Sequence, residues 1–348
     1  MTAPRAETVL HGGDLDAARR QFPDAPEPWI DLSTGINPEA YPLPPLAAEI
    51  WSLLPQRAQE LALRRAAAHR YGAQAPDMVV AGAGTQAILQ LIPRLVPRAR
   101  VAVLGPTYSE HARAWRREGH DVVDVEDPGS IGSAAVVVVV NPNNPTGRIV
   151  AAAELRKLAD VLQAHDGLLV VDEAFADMLP GEISVVADLP PATIVLRSFG
   201  KTYGLAGLRL GFAIAQEAIA RRVREHLGPW AASGPALSIG ARALADELWL
   251  ERSRKALKAA GGRLDQLLTA SGFEIVGATP LFRLTSHVRA RQIATVLGQR
   301  GIHVRRFPEH PAWIRFGLPG PEAAWQRLEK ALAAAAVEEV TGLPAPSL

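Results

Sequence analysis

The chain has 348 residues, no cysteine, a formal net charge of +1, and 48 % hydrophobic against 21 % charged residues. This excludes a disulfide scaffold, a cysteine-ligated zinc or iron–sulfur centre, and the large cationic field that nucleic acid or an acidic membrane would attract. No uninterrupted run of 18 apolar residues is present, and Met1 to Leu15 carries acids without an apolar stretch, so a soluble cytoplasmic enzyme is expected.

The segment up to Pro55 is rich in Pro and Gly and reads as an irregular arm, either loose or draped over another part of the protein. It contains His11-Gly12-Gly13-Asp14 and Asp31-Leu32-Ser33-Thr34-Gly35-Ile36-Asn37-Pro38. An amphipathic helix is predicted over Gln59 to Tyr71, closed by Gly72. Short apolar runs then alternate with helical stretches. Strands are predicted at Met78 to Ala81, Val101 to Leu104, Val122 to Val125, Ala134 to Val140, Leu168 to Val171, Thr193 to Leu196 and Leu210 to Ile214. Helices are predicted from Gln86, over Tyr108 to Arg117, and over Glu154 to Ala164. This alternation implies a mostly parallel sheet with helices on both faces. From Gln216 the texture changes to Arg/Ala/Leu-rich helices, one reaching Leu227 and one running from Ile239 to Ala270. Strands at Phe273 to Val276, Phe282 to Thr285, Val304 to Phe307 and Trp313 to Phe316 follow, with a helix over Ala290 to Arg300 and a last one from Glu322. The expected division is an N-terminal arm over 1–55 that covers the active site, a large ligand-binding domain over 56–215 and a small α+β domain over 216–348, with a frayed tail from Leu343.

Ligands of open α/β sheets gather at the carboxyl ends of the strands. The turn Gly82-Ala83-Gly84-Thr85 leads into a helix and is either an anion cradle of backbone N–H groups or merely a tight turn. Asn141-Pro142-Asn143-Asn144-Pro145-Thr146-Gly147 holds amide side chains at the end of the most apolar strand. Asp172 and Glu173 follow another apolar strand. Asp172 could hold a metal, a protonated ring nitrogen or a helix N-terminus. Arg197-Ser198-Phe199-Gly200-Lys201 leads on to Arg209, and Lys201 lies among glycines and apolar residues. A lysine so enclosed gives up its charge readily and becomes a nucleophile or Schiff-base former. It is one of only five lysines, the other 32 basic residues being arginine.

In this order and spacing the four motifs resemble the fold-type I pyridoxal-phosphate enzymes of the class I/II aminotransferase group, over nearly the whole chain. The resemblance implies an α/β fold with a mostly parallel sheet in the large domain and pyridoxal 5'-phosphate as cofactor. It assigns Lys201 to the cofactor aldehyde, Asp172 to the protonated ring nitrogen, Tyr108 to stacking on the ring, and Asn144 to the ring hydroxyl. Gly84, Thr85, Ser198 and Arg209 would hold the cofactor phosphate, and Arg315 the substrate carboxylate. There are two departures. Phe175 stands where many relatives carry a tyrosine, and Leu53-Leu54-Pro55-Gln56 replaces a Tyr-Pro-Asp stretch that reaches across a dimer. A homodimer is still expected, with no metal, nucleic acid or membrane partner.

Within the group, the His-Gly-Gly and Asp-Leu-Ser-Thr-Gly-Ile-Asn-Pro stretches of the arm are similar to the threonine-phosphate decarboxylases of cobalamin biosynthesis. That implies a small phosphorylated amino acid as substrate, with His11, Gly12, Gly13, Ser33, Thr34 and Asn144 joining Arg315 around it. The alternative is an aminotransferase such as histidinol-phosphate aminotransferase. A regulatory cofactor-binding module and a nucleotide-dependent dehydrogenase fit less well. No DNA-binding motif precedes the fold, and the glycine turn lacks the full dinucleotide fingerprint.

Overall fold

The computed structural model describes residues 12–179 and 183–341, and the described residues contain twelve strands. In chain order these are β1 (Ile30–Leu32), β2 (Val79–Gly82), β3 (Arg100–Leu104), β4 (Asp121–Val125), β5 (Val136–Val140), β6 (Leu168–Asp172), β7 (Thr193–Ser198), β8 (Gly211–Ala215), β9 (Glu274–Thr279), β10 (Phe282–Ser286), β11 (Ile302–Arg306) and β12 (Trp313–Gly317). The chain separates into two compact units. One comprises residues 36–259 with 277–280; the other comprises 12–35, 260–276 and the residues from 281 onward.

The larger unit is organised by its most apolar strands. β5 is valine at all five positions and buried at all five, the pattern of a strand covered on both faces. It pairs in parallel with β3 on one side and β6 on the other, and the sheet runs β2-β8-β7-β6-β5-β3-β4. β8 is antiparallel to both β7 and β2. An antiparallel partner needs no crossover helix, so the short connection from β7 to β8 is left to carry Lys201. The helix Arg57–Tyr71 ends as the sequence predicts, with Gly72 in the left-handed region at φ 80°. The predicted helix from Ile239 to Ala270 is instead two, Gly234–Ala245 and Glu247–Ala270. Asp246 parts them, and its Oδ1 accepts the Trp249 N–H at 2.9 Å, capping the second helix.

The smaller unit has a five-stranded sheet in the order β1-β11-β12-β10-β9. Its first strand comes from the predicted irregular arm. Ile30, Asp31 and Leu32 pair in parallel with Ile302, His303 and Val304. The arm also forms the helix Leu15–Gln21, capped by Asp14 accepting the Ala17 N–H. The pairing of β1 with β11 groups residues 12–35 with the C-terminal part of the chain. The division between units lies within the helix Glu247–Ala270, not at residue 216 where the sequence texture changes. His11 and the tail from Leu343 lie outside the described residues.

Candidate active site

Strand register brings the motif residues of the larger unit into one row. Val140 pairs with Asp172, and Asp172 with Leu196. Ser198 pairs with Gly211, which pairs in turn with Gly82. Ser198 thus lies two strands from the turn that carries Gly84 and Thr85.

Around that turn, close backbone approach demands glycine. Gly84 has φ 83° and precedes the helix Thr85–Leu91. A Cβ on Gly84 would lie 2.7 Å from Arg209 Nη2, and one on Gly211 would collide with the Thr85 amide. Arg209 itself takes φ 54°, a left-handed conformation that costs a non-glycine residue free energy. Gly84, Thr85, Ser198 and Arg209 therefore form one cradle. Its hydroxyls, guanidinium and helix-start N–H groups are donors suited to a phosphate.

Farther along the sheet, the turns that follow β3 and β5 are tied to each other. The Thr107 hydroxyl donates to Asn143 Oδ1 at 2.5 Å, and Asn143 Nδ2 donates to the Pro106 carbonyl (2.8 Å) and the Thr146 hydroxyl (2.7 Å). Asn143 is buried and serves structure, while Asn144 beside it is half-buried. The half-buried Tyr108 donates its hydroxyl to Gln86 Oε1 at 3.2 Å, and Gln86 donates to Glu110. This chain links the stacking candidate to the helix behind the cradle.

Asp172 is 5 % exposed. Its Oδ1 accepts the Ala174 N–H at 3.0 Å, a local turn contact and not the helix N-cap expected as its alternative, because the next helical turn begins at Ala176 after Phe175. Its Oδ2 lies 2.9 Å from Nε2 of His111, which is 1 % exposed. An ionised carboxylate only accepts, so Nε2 carries the proton in this pair. The sequence reading missed His111. The signal was present, since His111 follows Tyr108 by only three residues, in the first turn of the helix Glu110–Arg117. The two rings meet edge to face, 6.2 Å apart.

Lys201 belongs to the short helix Phe199–Thr202 directly after β7. Its Nζ lies 5.1 Å from the centroid of the buried Phe175 ring. The loop is fastened by the part of the arm that belongs to the larger unit. The Asn37 N–H donates to the Lys201 carbonyl and Asn37 Nδ2 to the Thr202 carbonyl, both at 2.9 Å.

Of the predicted substrate residues, Gly12, Gly13, Ser33, Thr34 and Arg315 meet within the smaller unit, and Asn144 belongs to the larger one. The Gly13 N–H donates to the Ser33 hydroxyl at 2.7 Å, and that hydroxyl donates to Asp31 at 2.5 Å. A Cβ on Gly12 would lie 2.5 Å from the Ser33 carbonyl, and one on Gly317 would strike the Thr34 carbonyl. Arg315 Nη2 donates to the Ser33 carbonyl at 2.7 Å, and its guanidinium lies over the Phe282 ring. Gly12, Gly13, Ser33, Thr34 and Arg315 thus form one cluster. Arg305 stands directly opposite Arg315 across β11 and β12 and was not foreseen. Burial, with the Arg305 charge adding to it, pushes the Arg315 guanidinium down to about 9. Like charges directly opposite on neighbouring strands repel, and an anion between them relieves that repulsion. Cross-strand partners are set by register, which no local pattern around Arg305 displays.

Residues 46–332 match the aminotransferase class I and II family. The threonine-phosphate decarboxylase of Pseudomonas aeruginosa is 42 % identical, over 92 % of this chain and 96 % of its own. The threonine-phosphate decarboxylase of a Sinorhizobium species is also 42 % identical, over 96 % and 99 %. In fold, the chain is similar to the histidinol-phosphate aminotransferase of Sinorhizobium meliloti solved in complex with pyridoxal-5'-phosphate. That match has a TM-score of 0.78 at 22 % identity and covers 97 % of this chain and 99 % of the other. With the family match spanning most of its length and the motif residues gathered at the strand ends, this chain belongs to the class I and II aminotransferase family.

Proposed function

We propose that the protein binds pyridoxal 5'-phosphate and decarboxylates L-threonine O-3-phosphate to (R)-1-amino-2-propanol O-2-phosphate, a reaction of cobalamin biosynthesis. The observation that carries this reading is the 42 % identity to two threonine-phosphate decarboxylases along nearly the full chain. The donor set supports the cofactor: a phosphate cradle, a buried carboxylate and an enclosed lysine stand at adjacent strand ends. When bound, pyridoxal phosphate supplies an electron sink for the bond broken at the substrate's Cα. Gly84, Thr85, Ser198 and Arg209 hold its phosphate, Asp172 keeps a proton on its ring nitrogen, Asn144 meets its ring hydroxyl and Tyr108 stacks on the ring. Lys201 reaches its aldehyde carbon. Loss of CO₂ leaves the electron pair of the broken bond with the substrate, and one proton taken up from solvent closes the balance as a new Cα–H bond.

The substrate carries two anionic groups, and the smaller unit supports binding of such a molecule through Arg315, Arg305 and the backbone N–H groups of Gly12 and Thr34, while the Gly13 N–H is held by Ser33. The Ser33 hydroxyl, already engaged with Gly13 and Asp31, acts by shaping this loop. Incubation with threonine phosphate, and separately with histidinol phosphate plus 2-oxoglutarate, tests the assignment. The expected result is CO₂ and aminopropanol phosphate from the first mixture only. Glutamate from the second would turn the reading to an aminotransferase. In the same assay, Arg305→Ala raises KM for threonine phosphate by about 10- to 100-fold, since a charge-assisted hydrogen bond contributes about 1.5–3 kcal/mol. Its cofactor content stays at the parent level. An unchanged KM removes Arg305 from the substrate site.

A homodimer belongs to this reading. Trp51, Leu53 and Leu54 are 60–69 % exposed and Trp230 is 58 % exposed, more apolar surface than a monomer usually leaves in water. Pro55 and Trp230 line one cleft of about 450 Å³ on this side of the larger unit. Sedimentation is expected to give twice the chain mass of 37.2 kDa, and Trp230→Glu to shift it toward the monomer. A monomeric parent protein rejects the dimer.

A further inference from the structure

Behind the strand ends that carry Asp172 and Ser198 lies a buried ion cluster with no part in the chemistry above. Successive strand residues face opposite sides of a sheet, so Arg197 turns away from the side that Asp172 and Ser198 face, and Glu173, directly after β6, meets it there. Arg197 Nη2 lies 2.7 Å from Glu173 Oε2, and Nη1 lies 2.6 Å from Asp177 Oδ1. Arg197 also donates to the Ser184 hydroxyl at 2.8 Å and covers the Tyr71 ring at 4.9 Å. Glu173 is wholly buried, and Arg197 and Asp177 are nearly so. The Glu173 N–H donates to the Leu196 carbonyl at 2.9 Å. Arg254 and Arg70 donate to the Asp177 carbonyl at 2.8 and 3.4 Å, bringing two helices to the same point.

Such a cluster is a weak source of net stability, because desolvating the charges offsets their attraction. Its geometric effect is strong, since a planar guanidinium held by two carboxylates sets both distance and angle between the segments that carry them. The sequence shows the same coupling, because Glu173 adjoins Asp172 and Arg197 adjoins Ser198.

We propose that Arg197, gripped by Glu173 and Asp177, is a positioning residue that clamps the end of β6 to the end of β7 and so sets the spacing of Asp172, Ser198 and the Lys201 loop. The proposal rests on the assignment of those three residues to the cofactor. The test compares holoenzymes of Glu173→Gln, Ser184→Ala and Arg197→Lys with Leu155→Ala, a fully buried position on the helix Ala152–Gln163 outside the cluster. Three quantities are read: Tm, the rate of pyridoxal phosphate release on dilution, and the pH midpoint of the bound cofactor's visible band.

At a matched loss of Tm, Glu173→Gln releases cofactor about tenfold faster than Leu155→Ala and moves the pH midpoint, because small misplacements of a binding group cost steeply. Ser184→Ala shows the same two effects at smaller size. Arg197→Lys keeps the charge without the fork and restores neither fully. Release rates and midpoints that follow Tm alone, as in Leu155→Ala, overturn the clamp. Should Glu173→Gln fail to fold, the same comparison with Ser184→Ala decides. Asp172→Asn is measured alongside. If it leaves the midpoint at the parent value, the site assignment itself has failed, an outcome distinct from a failed clamp.

Discussion

Lys201→Ala lowers decarboxylation of threonine phosphate by at least about three orders of magnitude, the scale of losing a group that bonds covalently in the reaction. The fold should survive, because Lys201 is half-buried in a short helix whose backbone is fastened by Asn37. Asn37 contributes through its own N–H and amide, neither of which depends on the lysine side chain. Borohydride reduction of the holoenzyme, followed by digestion and mass spectrometry, should find pyridoxyl label on Lys201. The scarcity of lysine sharpens this experiment, since only Lys157, Lys255, Lys258 and Lys330 compete. Lys255 is exposed and paired with Glu251 at 2.9 Å, as a solvated helix lysine is. Label on any of these four, with Lys201 clean, removes the lysine from its assigned role.

Asp172→Asn lowers turnover by about 10²- to 10³-fold, the range typical of losing one preorganised electrostatic partner in an enclosed site. The substitution keeps shape and the local turn contact, because Asn Oδ1 still accepts the Ala174 N–H. It removes the negative charge. A neutral amide does not hold a proton on a ring nitrogen as a carboxylate does, so the electron sink weakens while the cofactor stays bound. His111 amplifies the effect, since its Nε2–H, which meets Asp172 Oδ2 at 2.9 Å, then faces the amide Nδ2 of the asparagine, a second donor in place of an acceptor. Turnover and bound cofactor are measured on the same preparation. Near-parent turnover would reduce Asp172 to a turn contact with Ala174.

Much of this site was legible because its residues sit next to strong local signals. A run of valines announces β5, and the Asn-Pro turn follows it directly. Asp172 ends a run of four apolar residues, and Lys201 follows another strand among glycines. The large sheet, its mainly parallel order and the motifs at its strand ends are consequences of such periodicities. The arm was read as irregular because β1 is three residues long, too short for a period to show. It becomes a strand only through Ile302 to Val304, some 270 residues along the chain. The predicted long helix hid a break at Asp246 because helix propensity is high on both sides of it.

What the amino-acid sequence determined by itself is therefore the set of chemical groups: one enclosed lysine, one aspartate after an apolar strand, a glycine cradle with its arginine, and a family resemblance that relatives at 42 % identity bear out. Tertiary structure alone decided their supports. His111 reaches Asp172 across 61 residues, Arg305 faces Arg315 by strand register, and Arg197 grips Glu173 and Asp177 behind the sheet. Each of these depends on how separate segments register against one another. Local patterns record which face of an element is apolar, and they carry no record of which distant charge that face will meet.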